Sequence, residues 1–179
     1  MTGKGHVAVG FASAVYPSYL YQDLGMIWFP VICLATVLGS IGPDWLELPY
    51  PSKDSSGKRV YKRVIPHRTI THILSWWLIA AWISYTYSVG DELFGHSFPE
   101  TDDQLYFSIF TAFLFGGVIH LVCDVPNKRP ISIFFPWDRF KLNLWKSASN
   151  EYVYGLFVSS VVFWMALSGL QPVSLSDVI

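Results

Sequence analysis

Residues 66–72 read PHRTITH, two histidines and an arginine immediately before the apolar run ILSWWLIAAWISYTYSV. A second group, HLVCD, puts His120 and Asp124 four positions apart at the close of another apolar run. On a helix that spacing separates two side chains by about 40° around the axis, so both reach one ion. Further donors sit at similar addresses: His6 in GHVAVGF, Asp44 and Glu47 in GPDWLE, and Glu151 ahead of YVYGLFV. Imidazole and carboxylate together suit zinc, manganese or iron better than magnesium or calcium. The metal-ligand set is therefore His6, Asp44, His67, His72, His120, Asp124 and Glu151. That exceeds the four ligands of one tetrahedral ion and leaves room for two ions, with Asp124 as the bridging carboxylate and activated water as nucleophile.

Local chemistry refines these roles. His67 and His72 are five apart, roughly 140° on one continuous helix and too divergent to converge easily. Pro66 biases its predecessor towards extended structure, and Thr69 reads as a helix N-cap. His67 then precedes the helix and His72 projects from its first turn. Asp44 or Glu47 is placed to handle a proton. Arg68 has two readings, a bidentate fork for a phosphate oxygen and a cationic anchor at the interface. Taken singly, each residue has an ordinary explanation: His6 near the headgroups, Asp44 at a helix end, Glu151 complementing a helix dipole. His120 is the exception, because it lies inside an apolar run where a buried imidazole needs a partner.

The elements that must carry these residues follow from the apolar runs. The chain is 52% hydrophobic and 14% charged, against about 25% charged for a soluble domain, so it reads as a membrane protein. A helical span needs roughly 17–25 mostly apolar residues. Residues 26–43, 70–88, 105–123 and 152–170 qualify; residues 6–22, rich in small residues and tyrosine and containing Pro17, form a weaker fifth. If all five cross, all twelve Lys and Arg residues fall on one face: Lys4, six between Lys53 and Arg68, and five between Lys128 and Lys146. The other face carries Asp23, Asp91, Glu92, Glu100, Asp102, Asp103 and Asp177 without a cation. The positive-inside rule then puts loops 44–69 and 124–151 and the amino terminus in the cytoplasm and the carboxyl terminus outside. Every candidate donor lies on that cation-bearing face, and only His96 among the histidines does not. The expected fold is all-α, a single polytopic bundle of four to five spans over 1–179, with its ionisable residues clustered at one membrane face.

Partners follow from the same charges. The bilayer is the first, and KDSSGKRVYKR is both a topology signal and a contact for anionic headgroups; nucleic acid is a poor second for it. FFPWDRFKLNLWK interleaves rings with cations and reads either as a segment lying in the headgroup layer or as an ordinary solvent loop. Other signatures are missing: no HExxH, no Gly-rich phosphate loop, and no PSGH of the lipid-phosphate phosphatases. Cys33 and Cys123 sit in apolar stretches and read as reduced thiols. The ASA near the start follows too short an apolar run for a signal peptide. A transporter would place its ionisable groups near mid-bilayer rather than at the span ends.

GH near the start, GPDWLE after a span, HRTITH at the start of the next, and HLVCD followed by FPW together resemble the YdjM-type membrane-bound metal-dependent hydrolases, over roughly residues 3–155. The order of ligands is also similar, more weakly, to the zinc-dependent phospholipase C group. The resemblance implies an inner-membrane hydrolase that uses zinc or a similar divalent metal, and a phosphoester or lipid headgroup is the natural substrate. Leu46 stands where the family pattern carries a second acid, and Ile73 where it tends to have serine. These departures keep a second reading open: a non-catalytic membrane scaffold, built on a structural metal or polar cluster, that holds protein partners in an assembly. A reporter fused to the carboxyl terminus checks the five-span arrangement. Alkaline phosphatase is expected to be active there, and a cytoplasmic signal would mean that residues 6–22 do not cross.

Overall fold

The computed structural model describes residues 1–66, 68–90, 101–144 and 150–173. His67 and His96 lie outside the described residues. The helices are α1 (Gly3–Ser13), α2 (Val15–Leu20), α3 (Phe29–Gly39), the single turn α4 (Gly42–Trp45), α5 (Leu74–Ser88), α6 (Thr101–Asp124) and α7 (Glu151–Leu167). A strand pair, β1 (Pro49–Lys53) and β2 (Arg59–Arg63), and a 3-10 turn, Ile70–His72, complete the described elements that bear on the site.

Among the described residues, one helix, Asp103–Asp124 within α6, is long and apolar enough to cross a membrane. At 1.5 Å per residue, α3, α5 and α7 rise about 16, 22 and 26 Å, short of the roughly 30 Å hydrocarbon core. Where four or five spans were expected, the chain therefore presents one full-length helix and several shorter ones. The shortening has local causes. Residues 6–22 break at Ala14 into α1 and α2. The run 26–43 starts late, with Pro30 in the first turn of α3, and stops at Ser40 before Pro43 opens a separate turn. Thr69 makes no side-chain cap; its hydroxyl donates to the Pro66 carbonyl, and α5 begins only at Leu74. His72 consequently sits on the 3-10 turn ahead of α5 rather than in its first turn.

Helix α6 is the centre of the packing. It supplies Ile119 and Cys123 to a cluster with Val9, Tyr16 and Val158, Ala112 to a second with Ile32 and Tyr85, and Leu114 and Leu121 to a third with Trp77. Its approach to α3 is backbone against backbone. A Cβ on Gly39 would strike the Phe113 carbonyl, and one on Gly116 would strike the Thr36 carbonyl. Small residues that admit such contact are the usual means of joining helices where lipid replaces water.

The surface is inverted relative to a soluble domain. His6, Glu47, Arg68, His72, His120 and Asp124 are buried, whereas Phe11, Met26, Ile27, Tyr106, Leu156 and Trp164 are exposed. Rings and aliphatic side chains facing outward on several helices make a patch far larger than a water-facing monomer tolerates, and lipid is the solvent that fits it.

The 44–69 loop is not merely polar chain. β1 and β2 form an antiparallel hairpin in register Pro49↔Arg63 to Lys53↔Arg59. Its turn is tied by Asp54, which accepts from the Ser56 hydroxyl and from the Ser56 and Lys58 N–H groups. Those bonds, the Ser56 hydroxyl foremost, hold the Asp54 carboxyl below its usual range. The described part of 124–151 folds back on the start of α5. The Ser132 and Ile133 carbonyls accept from Leu74 and Ser75, satisfying two orphan N–H groups of that helix. Asp138 ties the segment by accepting from the N–H groups of Ile133, Phe134 and Phe135. Desolvation pushes its carboxyl up, but these bonds outweigh it and leave the group below its usual range. Phe134, Phe135 and Trp137 remain exposed around this knot.

Gly116→Val is expected to push α3 from α6 and lower stability by about 1–3 kcal/mol or more, the usual cost of overpacking. Gly3→Ala, whose Cβ meets nothing within 4 Å, is the control. Thermal unfolding of both variants in detergent reads the difference.

Candidate metal centre

The tips of four elements converge at the end of α6 that carries Asp124. His6 comes from the first turns of α1, Asp44 from α4, His72 from the 3-10 turn, and His120 and Asp124 from α6. They form two overlapping groups whose ligand atoms lie within 4.8 Å of one another: His6, His120 and Asp124, and Asp44, His72 and His120. His120 belongs to both.

The close approach of α3 to α6 orients His120. Ser40, just past the end of α3, presents its carbonyl 2.7 Å from His120 Nδ1, which donates to it. That fixes the tautomer and leaves the Nε2 lone pair for the centre. Nε2 is buried and makes no hydrogen bond; it lies 3.9 Å from Asp124 Oδ2. His6 stacks on His120 with ring centroids 3.7 Å apart and planes 12° from parallel, and its Nε2 is 3.5 Å from Asp124 Oδ1. His72 is held in the same manner as His120. Its Nδ1 is 3.2 Å from Glu47 Oε1 and 3.0 Å from the Thr71 hydroxyl, and its Nε2 is 3.7 Å from Asp44 Oδ1. Trp77 clamps the turn by donating from its indole to the Thr71 carbonyl, 2.9 Å away.

These separations fit an ion. Ligands about 2.1 Å from a tetrahedral metal stand roughly 3.4 Å from each other, and the paired donors lie at 3.5, 3.7 and 3.9 Å. A buried imidazole nitrogen with no hydrogen bond is the further sign that the donor set suits a cation. The residues can hold a metal ion.

The remaining expected residues fall around this core. Glu47, fully buried, stands behind His72 rather than beside the other donors; it accepts from the Arg68 N–H at 2.9 Å and pairs with Arg63 Nε at 2.7 Å. Arg68 is buried, with neither a headgroup-facing nor a solvent-facing guanidinium. Its fork is engaged by Asp124 Oδ2 and the Arg129 carbonyl, each at 2.5 Å. Its backbone is left-handed, φ 62°, a conformation that costs a non-glycine residue of order 1 kcal/mol or more. The Glu47 bond to its N–H and the Asp124 bond to its side chain hold it there. Asp124 is crowded with donors: the amino group of Met1 at 2.6 Å and Asn127 Nδ2 at 2.8 Å on Oδ1, and Arg68 on Oδ2. Glu151 belongs to neither group; it accepts from the Thr2 N–H and hydroxyl and ties the start of α7 to the start of α1. Of the five converging side chains, Asp44 alone has appreciable exposure, 32%.

Sequence reading missed several contributors, among them the Met1 amino group, Asn127, Arg63 and the Ser40 carbonyl. Asn127 follows Asp124 at helical spacing in DVPN, a signal that was there to use. Arg63 is one cation among several in a basic stretch, and the Ser40 carbonyl is backbone, so neither could be singled out.

No solved structure matches the chain. An uncharacterized protein, YvsG, of Bacillus subtilis (strain 168) is 28% identical over 139 residues, covering 76% of this chain and 74% of that relative. The sequence model of the family described as YdjM inner membrane protein matches residues 1–175, nearly the whole length. The exposed apolar faces, the full-length α6 and this match agree: the chain is a membrane protein and belongs to the YdjM inner membrane protein family.

Proposed function

We propose that the protein is a membrane-embedded hydrolase that uses a divalent transition metal, zinc first, with manganese or iron as alternatives, on a phosphoester at the cytoplasmic face. The observation that carries this reading is the pair of donor groups meeting at His120. Four to five membrane passages, some through short or tilted segments, fit the apolar outer faces, and the twelve cations support a cytoplasmic centre.

The two donor groups compete. With Nδ1 donating to Ser40, His120 has one lone pair, on Nε2, and completes one site only. The amino group of Met1 and Arg68 stand against Asp124, and positive charge at that distance opposes a dication. Asp44, His72 and His120 are therefore the preferred triad, holding one ion; His6 and Asp124 flank it, and a second ion has to displace their cations. Bound there, the metal would polarise a phosphoryl oxygen and acidify water. Glu47 keeps His72 Nε2 aimed at the centre, as Ser40 does for His120. We therefore assign Glu47 to positioning, and proton exchange with water or substrate to Asp44, the accessible member. Arg68 holds Asp124 and the 124–129 turn in place.

The alternative, a non-catalytic scaffold, rests on Asp124: three donors already satisfy it, so the polar cluster is self-sufficient as a structural knot.

Elemental analysis of detergent-purified protein is expected to find roughly one transition-metal ion per chain, lost in His120→Ala and retained in His6→Ala, which lies outside the triad. Asp44→Asn, which weakens one ligand of the triad and removes its accessible carboxylate together, is expected to slow turnover of bis(p-nitrophenyl) phosphate by about 10²-fold or more. A wild-type protein without bound metal overturns the hydrolase reading and leaves the scaffold.

A further inference from the structure

Two apolar hollows flank α6, and they differ in their relation to the centre. The larger, about 550 Å³, lies between α2, α5, α6 and α7. Four of its five α6 lining residues, Thr111, Phe115, Val118 and Val122, fall on the opposite side of the helix from His120 and Asp124 at 100° per residue, and the fifth, Ile119, lies 100° from His120. The second, about 500 Å³, is lined by Trp76, Trp77, Ala80, Phe110, Phe113 and Leu114, with Leu46, Ile65 and Thr71 at its mouth. That mouth adjoins the centre. Thr71 precedes His72, and Leu46 is two residues past Asp44, the accessible member of the triad. From there the groove descends beside α6 to Phe110, ten positions before His120 and roughly 15 Å along the axis. Trp76 and Phe110 are about half exposed along it, so its side opens to the medium that surrounds the apolar helices.

Charge at the mouth is equally one-sided. The hairpin stem is bonded to the end of α4, Ile65 N–H donating to the Glu47 carbonyl and Val64 N–H to that of Leu48. The hairpin carries Lys53, Lys58, Arg59, Lys62 and Arg63 against the single acid Asp54. A basic hairpin whose stem runs directly into Ile65, a residue lining the apolar groove, is complementary to a molecule with an anionic head and a hydrocarbon tail.

We propose that this groove takes an acyl chain of an anionic phospholipid from the bilayer, with the phosphate at the Asp44 edge of the centre under the basic hairpin. The substrate class of the hydrolase is then a membrane phospholipid rather than a soluble phosphoester. This assignment of substrate rests on the hydrolase reading; occupancy of the groove does not.

Photocrosslinking tests it. Full-length protein is reconstituted in phosphatidylcholine vesicles with a trace of phosphatidylglycerol bearing a diazirine on its acyl chain, and adducts are mapped by peptide mass spectrometry. The expected adducts lie on the peptides carrying Trp76 and Phe110 and are competed by unlabelled phosphatidylglycerol but not by more phosphatidylcholine. Ala80→Phe fills the groove and is expected to cut this labelling about tenfold, as the lost burial of roughly two methylenes would. Val161→Phe, which lines the other hollow, is expected to leave it unchanged. Trp76→Ala, at an exposed site, provides a second loss that does not depend on tolerance of a larger side chain. Labelling spread evenly over the apolar faces, or unaffected by Ala80→Phe and Trp76→Ala, overturns the groove. Equal competition by phosphatidylcholine overturns the anionic headgroup. Turnover of bis(p-nitrophenyl) phosphate, measured in parallel, separates the two readings. Specific labelling without turnover sinks the hydrolase and keeps the lipid site, and turnover without specific labelling does the reverse.

Discussion

The contact on which the centre depends is between two backbones. Because Gly39 and Gly116 have no Cβ, α3 and α6 touch along their main chains, and the Ser40 carbonyl reaches the His120 ring. Lengthen that approach by the width of a methyl group and the hydrogen bond on Nδ1 is lost, with the tautomer and the ring orientation it sets. Packing and chemistry are here one constraint, since the same close approach that joins the helices in lipid selects the nitrogen that faces the donors.

The second organising feature is the burial of charge. In an apolar surround an isolated ionised group is prohibitively expensive, so Asp124 is met by the amino group of Met1, Arg68 and Asn127, and Glu47 by Arg63 and His72. Arg68 bridges the two systems, its N–H on Glu47 and its guanidinium on Asp124. Its left-handed backbone is the conformation that lets one residue serve both acids. Within PHRTITH, Arg68 thus works as a brace and His72 is a donor to the centre.

This burial makes the centre asymmetric. The His6–Asp124 side is closed by α1 and by the cations on Asp124; the Asp44 side is partly open, and Leu46, two residues on, lines an apolar groove. The hairpin, which has no counterpart in the apolar pattern, pairs one cation, Arg63, with the buried Glu47 and carries four more, Lys53, Lys58, Arg59 and Lys62, on the segment that follows Glu47.

Much of this was legible in the sequence, because depth along a helix is a one-dimensional property. His6, Asp44, His72, His120 and Asp124 stand near the ends of apolar runs in the sequence, and those five do converge in the structure. The His120–Asp124 spacing was readable in the same way. Run length overstated the helices, because Pro17, Pro30 and Pro43 and the late start of α5 cut apolar stretches that hydropathy alone treats as continuous. What only the tertiary structure decided is azimuth and backbone: that Glu47 turns behind His72, that Arg68 faces inward, that Glu151 binds Thr2 instead of joining the donors, and that a carbonyl of Ser40 holds His120. Composition and periodicity are local quantities, whereas these contacts depend on how closely and at what rotation two helices meet, which small residues far apart in the chain determine together.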